Sequence, residues 1–206
     1  VAWADHASSA NFPTEGAASQ FGFDKEESTN KLLWDYTPYE EDIYVGYRYF
    51  DSFGKDVSYP FGYGLSYTSF EYSEPKISED NGVYTVTVDV KNTGGVAGKE
   101  VVQLYAKAPD AKAANKPEHE LKAFAKTRSL KPGEAQTVSL TFAASDLASY
   151  DEEKNAWVVD EGDYVFEIGA SSRDIKGKVN ANVAGMEKSL HDVLKPQTSL
   201  NTLKRK

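Results

Sequence analysis

From residue 65 onward the chain alternates between apolar and polar positions. In residues 83–91 (VYTVTVDVK), Tyr84, Val86, Val88 and Val90 share one face while Thr85, Thr87 and Asp89 share the other, the period of a half-buried strand. Gln136, Val138, Leu140 and Phe142 alternate in the same way, as do Tyr164, Phe166 and Ile168, and then residues 176–183. Residues 100–106 (EVVQLYA) are apolar on both faces, which predicts a central strand. Residues 68–77 are the first candidate strand, Glu120–Lys126 is a shorter candidate, and Ala156–Val159 is a short one reached from Ser149-Tyr150 by a charged turn. Asn92-Thr93-Gly94-Gly95 and Leu130-Lys131-Pro132-Gly133 carry turn residues. Seven or eight strands with regular turn signals predict a mainly β fold, an immunoglobulin or fibronectin type III sandwich, over residues 65–184.

The remainder is patterned differently. Residues 1–33 have weak periodicity, and Asn11-Phe12-Pro13 is extended because the residue before Pro is pushed out of the helical region. Residues 14–30 read as a surface loop within an insertion over 14–33, long for a compact domain and therefore functional or variable. Fourteen of the chain's 26 aromatics fall between Trp34 and Tyr72, a density that points first to packing between two layers and second to sugar contact. After Gly185, Met186, Leu190, Val193 and Leu194 have helical spacing, and Pro196 stops the pattern. The expected organisation is an aromatic-rich extension over 1–64, the sandwich over 65–184, and a basic tail over 185–206.

Charge sharpens that division. The 206 residues carry a net charge of −9, with −7 in residues 1–60 and +3 in residues 185–206. The acidic balance argues against nucleic acid or an anionic membrane as a partner. The basic tail either docks on the acidic body or stays mobile, and mobile ends are the expectation. No apolar run approaches 18 residues, and no signal peptide is visible. A chain of this kind is expected to be soluble, with its compartment open between periplasmic or secreted and cytoplasmic. Without Cys there are no disulfides, thiolate metal sites or thiol nucleophiles.

Candidate chemistry is sparse. His6, His119 and His191 sit in three different segments, and each reads as a surface or half-buried imidazole rather than a metal ligand. There is no Gly-x-Ser-x-Gly elbow. Gly62-Tyr63-Gly64-Leu65-Ser66 lacks the Lys and following helix of a phosphate loop, so its glycines serve a tight turn among bulky neighbours. Asp151-Glu152-Glu153 and Asp160-Glu161-Gly162-Asp163 fit no Ca²⁺ loop and lie at apparent hairpin turns. The residues alone show no catalytic constellation, no metal site and no cofactor motif.

Longer blocks carry a resemblance. Residues 41–51 (EDIYVGYRYFD) and 59–70 (YPFGYGLSYTSF) resemble two motifs of the glycoside hydrolase family 3 β-glucosidases. Residues 90–94 (VKNTG), 98–105 (GKEVVQLY), 120–124 (ELKAF), 130–134 (LKPGE) and 169–174 (GASSRD) are similar to that family's fibronectin type III-like domain, in the family's order. The resemblance covers about residues 40–180, and residues 1–13 look like the exit from the family's α/β sandwich domain.

The resemblance implies a parent enzyme that hydrolyses terminal β-linked glucose with retention, through two carboxyl groups about 5–5.5 Å apart. In the family these lie on a TIM-type barrel and an α/β sandwich domain, and neither maps onto a residue here. The chain alone is therefore expected to be inactive, with no catalytic residue and no cofactor. Its implied partners are those two catalytic domains, in the same or a separate chain, and through them a β-glucoside. Tyr47, Arg48, Tyr49, Phe61 and Tyr63 are the expected interdomain contacts, with Arg48 either stacking on a ring or clamping a carboxylate. Trp34 and Tyr36 are candidates for the rim of a partner's active site. The competing possibility is a carbohydrate-binding or adhesion module, which requires exposed aromatics, and here they cluster before the sandwich.

Overall fold

The computed structural model describes residues 5–6, 40–191 and 202–205. Trp34, Tyr36, the 14–33 segment, Val193 and Leu194 lie outside the described residues. Among the described residues a six-residue helix, α1 (Tyr47–Ser52), precedes the strands β1 (Phe70–Tyr72), β2 (Lys76–Asp80), β3 (Val83–Asn92), β4 (Val101–Lys107), β5 (Glu120–Lys126) and β6 (Ala135–Ala143). A 3₁₀ turn at Ala144–Leu147 leads to β7 (Ser149–Asp151), β8 (Ala156–Val159), β9 (Gly162–Gly169), β10 (Ile175–Val183) and β11 (Met186–Ser189).

Two antiparallel sheets face each other. In the first, β3 pairs with β6 on one edge and with β1 and β2 on the other. The second runs β10-β9-β4-β5. Tyr84, Val86, Val88 and Val90 meet Val102, Leu104 and Ala106, with Leu140, Phe142, Tyr164, Phe166 and Ile168 filling the layer between. Tyr84 stacks on Phe142 at 5.3 Å and Phe142 lies 5.0 Å from Phe166, so aromatic contact joins both sheets at one end of the core. The fold is the mainly β sandwich expected from the alternation.

Three expectations need correction. The single strand expected over residues 68–77 is two, because Pro75 lacks the N–H that would continue the ladder. Ser73 bridges the gap by donating its N–H to the Asp89 carbonyl and accepting the Asp89 N–H at its hydroxyl. The helical spacing after Gly185 misleads: Met186–Ser189 is a strand antiparallel to β8, completing a small third sheet, β11-β8-β7. All four of its residues are exposed, so backbone pairing rather than an apolar face holds it. Finally, Asp151-Glu152-Glu153 does belong to the β7–β8 hairpin, but Asp160-Glu161 carries the chain from the third sheet into β9 of the second.

The turn at Asn92 is also a lock. The buried Asn92 amide donates to the carbonyls of Val96 and Leu130 at 2.8 Å each, and its oxygen accepts from Thr68 Oγ1 at 2.6 Å and Gly94 N–H at 3.0 Å. Thr68 fits only because residues 94 and 98 are glycines; a Cβ at Gly94 would stand 2.2 Å from Thr68 Oγ1, and one at Gly98 2.6 Å from its methyl. The entry to β1 is thereby pinned to the end of β3.

Core and surface positions on adjacent strands of the second sheet should separate cleanly. Leu104 is fully buried, and Leu104→Ala should cost about 3 kcal/mol through lost contacts and the cavity left behind. Phe124 is 69% exposed, and Phe124→Ala should stay within about 0.5 kcal/mol of the parent. Urea unfolding of the two variants checks the difference; similar midpoints would contradict the assigned core.

Candidate functional site

The second sheet is covered on its outer face as well. β4 alternates strictly, so Val102, Leu104 and Ala106 enter the core while Gln103 and Tyr105 turn outward. Glu167 on β9 stands opposite Tyr105, and Lys178 on β10 stands opposite Glu167, forming one row across three strands. Both Gln103 and Tyr105 are buried, because residues 44–62 lie over them. A six-residue helix is too short to persist alone, so α1 depends on this contact.

Five charged side chains run through the contact in series. Lys178 Nζ approaches Glu167 Oε1 at 2.7 Å, and Glu167 Oε2 meets His119 Nδ1 at 2.7 Å. His119 Nε2 faces Asp51 Oδ2 at 3.4 Å, and Asp51 Oδ1 accepts from Arg173 Nε at 2.6 Å. Arg173 also donates to the Lys55 carbonyl at 2.7 Å. The side chains of Asp51, His119 and Glu167 are each only 7–8% exposed. His119 was expected to be at the surface or half-buried. It is instead buried beneath the extension, its ring stacked 4.8 Å from Tyr105.

The electrostatics follow from this enclosure. Burial opposes a charge on His119, but hydrogen bonds and Coulombic attraction from Asp51 and Glu167 outweigh it and raise its pKa to about 9. Burial also pushes Glu167 up, and the hydrogen bonds from His119 and Lys178 reverse this, holding it at about 2. Asp51 responds likewise: burial raises it, His119 and Arg173 outweigh that, and it lies below the usual carboxylate range. His119 is thus an imidazolium at neutral pH. With a carboxylate at each nitrogen it offers no lone pair to a metal and no base to a substrate.

Other contacts surround the chain of charges. Tyr47 stacks on Phe61 at 4.5 Å and accepts the Leu121 N–H at 2.8 Å. Arg48 takes the carboxylate alternative, with Nη1 3.3 Å from Glu120 Oε1. Ser52 Oγ accepts the Glu118 N–H at 2.8 Å, and the Phe61 carbonyl accepts the Ser172 N–H at 2.9 Å. Gln103 Nε2 donates to the carbonyls of Gly62 and Ala170, while Tyr105 donates to Gln103 Oε1 at 2.6 Å. Gly62 has φ +80°, and a Cβ there would lie 2.0 Å from Gln103 Oε1, so this glycine is needed for both the turn and the approach. Tyr49 packs on Phe53 at 4.9 Å, and Tyr63 on Tyr59 at 5.1 Å. Tyr47, Arg48 and Phe61 therefore meet this chain's own sandwich, whereas Tyr63 lies on an exposed strip.

The far end of the chain is fastened too. Arg205 donates to the Lys116 carbonyl and to Glu118 Oε2 at 2.8 Å each, so the basic end expected to be mobile is docked there. Its backbone N–H reaches Asn115 Oδ1, which also accepts from the Tyr44 hydroxyl.

Among the described residues, a run of apolar side chains stays exposed beside this junction. Tyr59, Phe61, Tyr63, Leu65 and Tyr67 recur at every second position, and all are exposed, Tyr59 at 71%, Leu65 at 89% and Tyr67 fully. Of this strip the sequence analysis named Phe61 and Tyr63 as contact residues; the buried ion chain was not legible, because Asp51, His119, Glu167 and Arg173 belong to four separate segments.

Known proteins share this architecture. A family model described as a fibronectin type III-like domain matches residues 100–172. A β-glucosidase of Ruminococcus albus is 49% identical over 144 residues, which are 67% of this chain and 15% of that protein. An exo-α-(1→6)-L-arabinopyranosidase of Bifidobacterium longum is 38% identical over 178 residues, 84% of this chain and 23% of that protein. The solved β-glucosidase 3B of Thermotoga neapolitana in complex with glucose superposes with a TM-score of 0.71 at 51% identity, over 75% of this chain and 21% of that one. The chain spans less than a quarter of each of these relatives.

The charge chain makes stability depend on pH in a defined direction. Because the folded pKa of His119 lies above its ordinary 6.5, its contribution is complete below 6.5 and is lost as pH rises to about 9. At about 1.36 kcal/mol per pKa unit the loss is about 3 kcal/mol, counted once for the whole His119–Glu167–Asp51 interaction. Glu167, held below its ordinary 4.5, adds stability that is lost as pH falls towards 2. Denaturation midpoints should therefore hold level between about 4.5 and 6.5 and fall between 6.5 and 9. His119→Gln should be less stable at pH 6 and lack the alkaline fall; a parent with no such fall would contradict a buried imidazolium.

Proposed function

The chain corresponds to the C-terminal, fibronectin type III-like portion of the family 3 β-glucosidases, and on that premise we propose that it is the non-catalytic part that packs against and stabilises the catalytic domains. The parent activity is retaining hydrolysis of terminal β-D-glucosyl residues. Its two carboxyl groups belong to a TIM-type barrel and an α/β sandwich domain, in the same or a separate chain. The chain alone is inactive. On this reading residues 1–64 belong to the end of the α/β sandwich domain and the link, 65–184 to the sandwich, and 185–206 to a tail whose Met186–Ser189 joins the body by pairing with β8.

The exposed strip at residues 59–67 carries this proposal. Five large apolar side chains on a nine-residue segment are costly to leave in water, and a contiguous patch of this kind marks an interface. The contacts around the buried ion chain support the same role, because Ser172 and Gln103 fix the strip's root at Phe61 and Gly62 to the sandwich. A relative named for an arabinopyranoside and a relative named a β-glucosidase each match about two thirds or more of this chain, which supports placing sugar selection elsewhere.

Complementation tests the proposal. The chain alone should not cleave an aryl β-glucoside, and mixing it with the barrel and α/β sandwich portion should restore hydrolysis. Changing Tyr59, Leu65 and Tyr67 together to Ser should leave the chain's own melting near that of the parent and weaken complementation at least roughly tenfold. Activity from the chain alone, or complementation indifferent to the triple change, would overturn it. In the assembled enzyme Arg48→Ala should lower thermal stability while sparing turnover. Trp34→Ala should change KM for at least one aglycone; an unchanged KM for all would remove Trp34 from the rim.

A further inference from the structure

A cleft of about 720 Å³ opens beside the junction, between the β7–β8 hairpin and residues 115–117 before β5. It is within the size range of small-molecule sites, about 300–1,000 Å³. Trp157 on β8 and Tyr150 on β7 line it, their rings in edge contact at 5.7 Å and each more than 40% exposed. These two rings lie outside the sandwich core, on the small third sheet. They add exposed aromatics on the body itself to the cluster expected before the sandwich.

The polar lining is mixed in sign. Arg48, Lys116, Lys122 and Lys204 stand among six carboxylates, those of Asp42, Glu120, Asp151, Glu152, Glu153 and Asp160, with Lys116 paired to Asp160 and Lys122 to Glu120. A single-signed cluster would select an ion; alternating donors and acceptors suit a neutral ligand whose groups both donate and accept. Hydroxyls do this, and the C–H face of a pyranose suits an exposed indole. Among the described residues, Arg48 gives Glu120 one of its five N–H groups. We infer that this cleft is a carbohydrate-binding subsite for a neutral pyranose oligosaccharide. Trp157 stacks on one ring, Tyr150 flanks it, and Arg48 donates to its hydroxyls. Such a subsite would hold a glycan chain on the non-catalytic part of the molecule, separate from the exposed strip at residues 59–67.

Titration of the full chain with cellotriose, xylotriose and maltotriose, followed by the indole N–H resonances, tests this. The Trp157 signal, assigned through Trp157→Phe, should shift saturably with at least one of the three. Affinity should fall roughly tenfold or more in Trp157→Ala and less in Trp157→Phe. The inference is overturned if none of the three shifts that signal. It is equally overturned if binding persists unchanged in Trp157→Ala, or in Tyr150→Ala should the first variant fail to fold.

Discussion

A protonated imidazole enclosed by two carboxylates holds the two parts of this chain together. His119 stands immediately before β5, Glu167 projects from β9, and Asp51 comes from the last turn of α1. Removing such charges from water costs several kcal/mol per ion, and only close, satisfied pairing offsets it. The pairing here is extended rather than isolated, since Lys178 and Arg173 cap the two carboxylates. The interaction therefore gives geometric definition: α1 sits where its aspartate reaches the imidazole, and a slide along the sheet would leave buried charge uncompensated.

That placement explains features which otherwise look unrelated. β4 is buried on both faces because the sandwich core lies on one side and the extension on the other. Gly62 is required where the extension leaves the sheet, against Gln103. Thr68 is then caught by Asn92 at the entry to β1. Between these two anchors, residues 63–67 are left outside, and their apolar side chains face solvent. An extension tied at both ends and apolar in the middle fits the proposed role of packing against another domain.

The sandwich was legible because burial on one face imposes a period of two, which β3 and β6 follow almost without exception. The doubly apolar β4 was a sign of a second layer, although not of which residues supply it. The buried ion chain left no local trace: Asp51 and His119 are 68 residues apart and His119 and Glu167 are 48, so only the fold joins them. β11 misled for the opposite reason. Its side chains are all exposed, so their spacing carried no information about a strand held by backbone pairing.

The claim that this junction turns on a buried imidazolium is open to direct observation. The side-chain ¹⁵N resonances of His119, followed by NMR from acid to alkaline pH, report the protonation of both ring nitrogens. The account predicts that both remain protonated through neutral pH and that the ring loses a proton near pH 9. A ring that is neutral at pH 7, titrating at or below its ordinary 6.5, would contradict it.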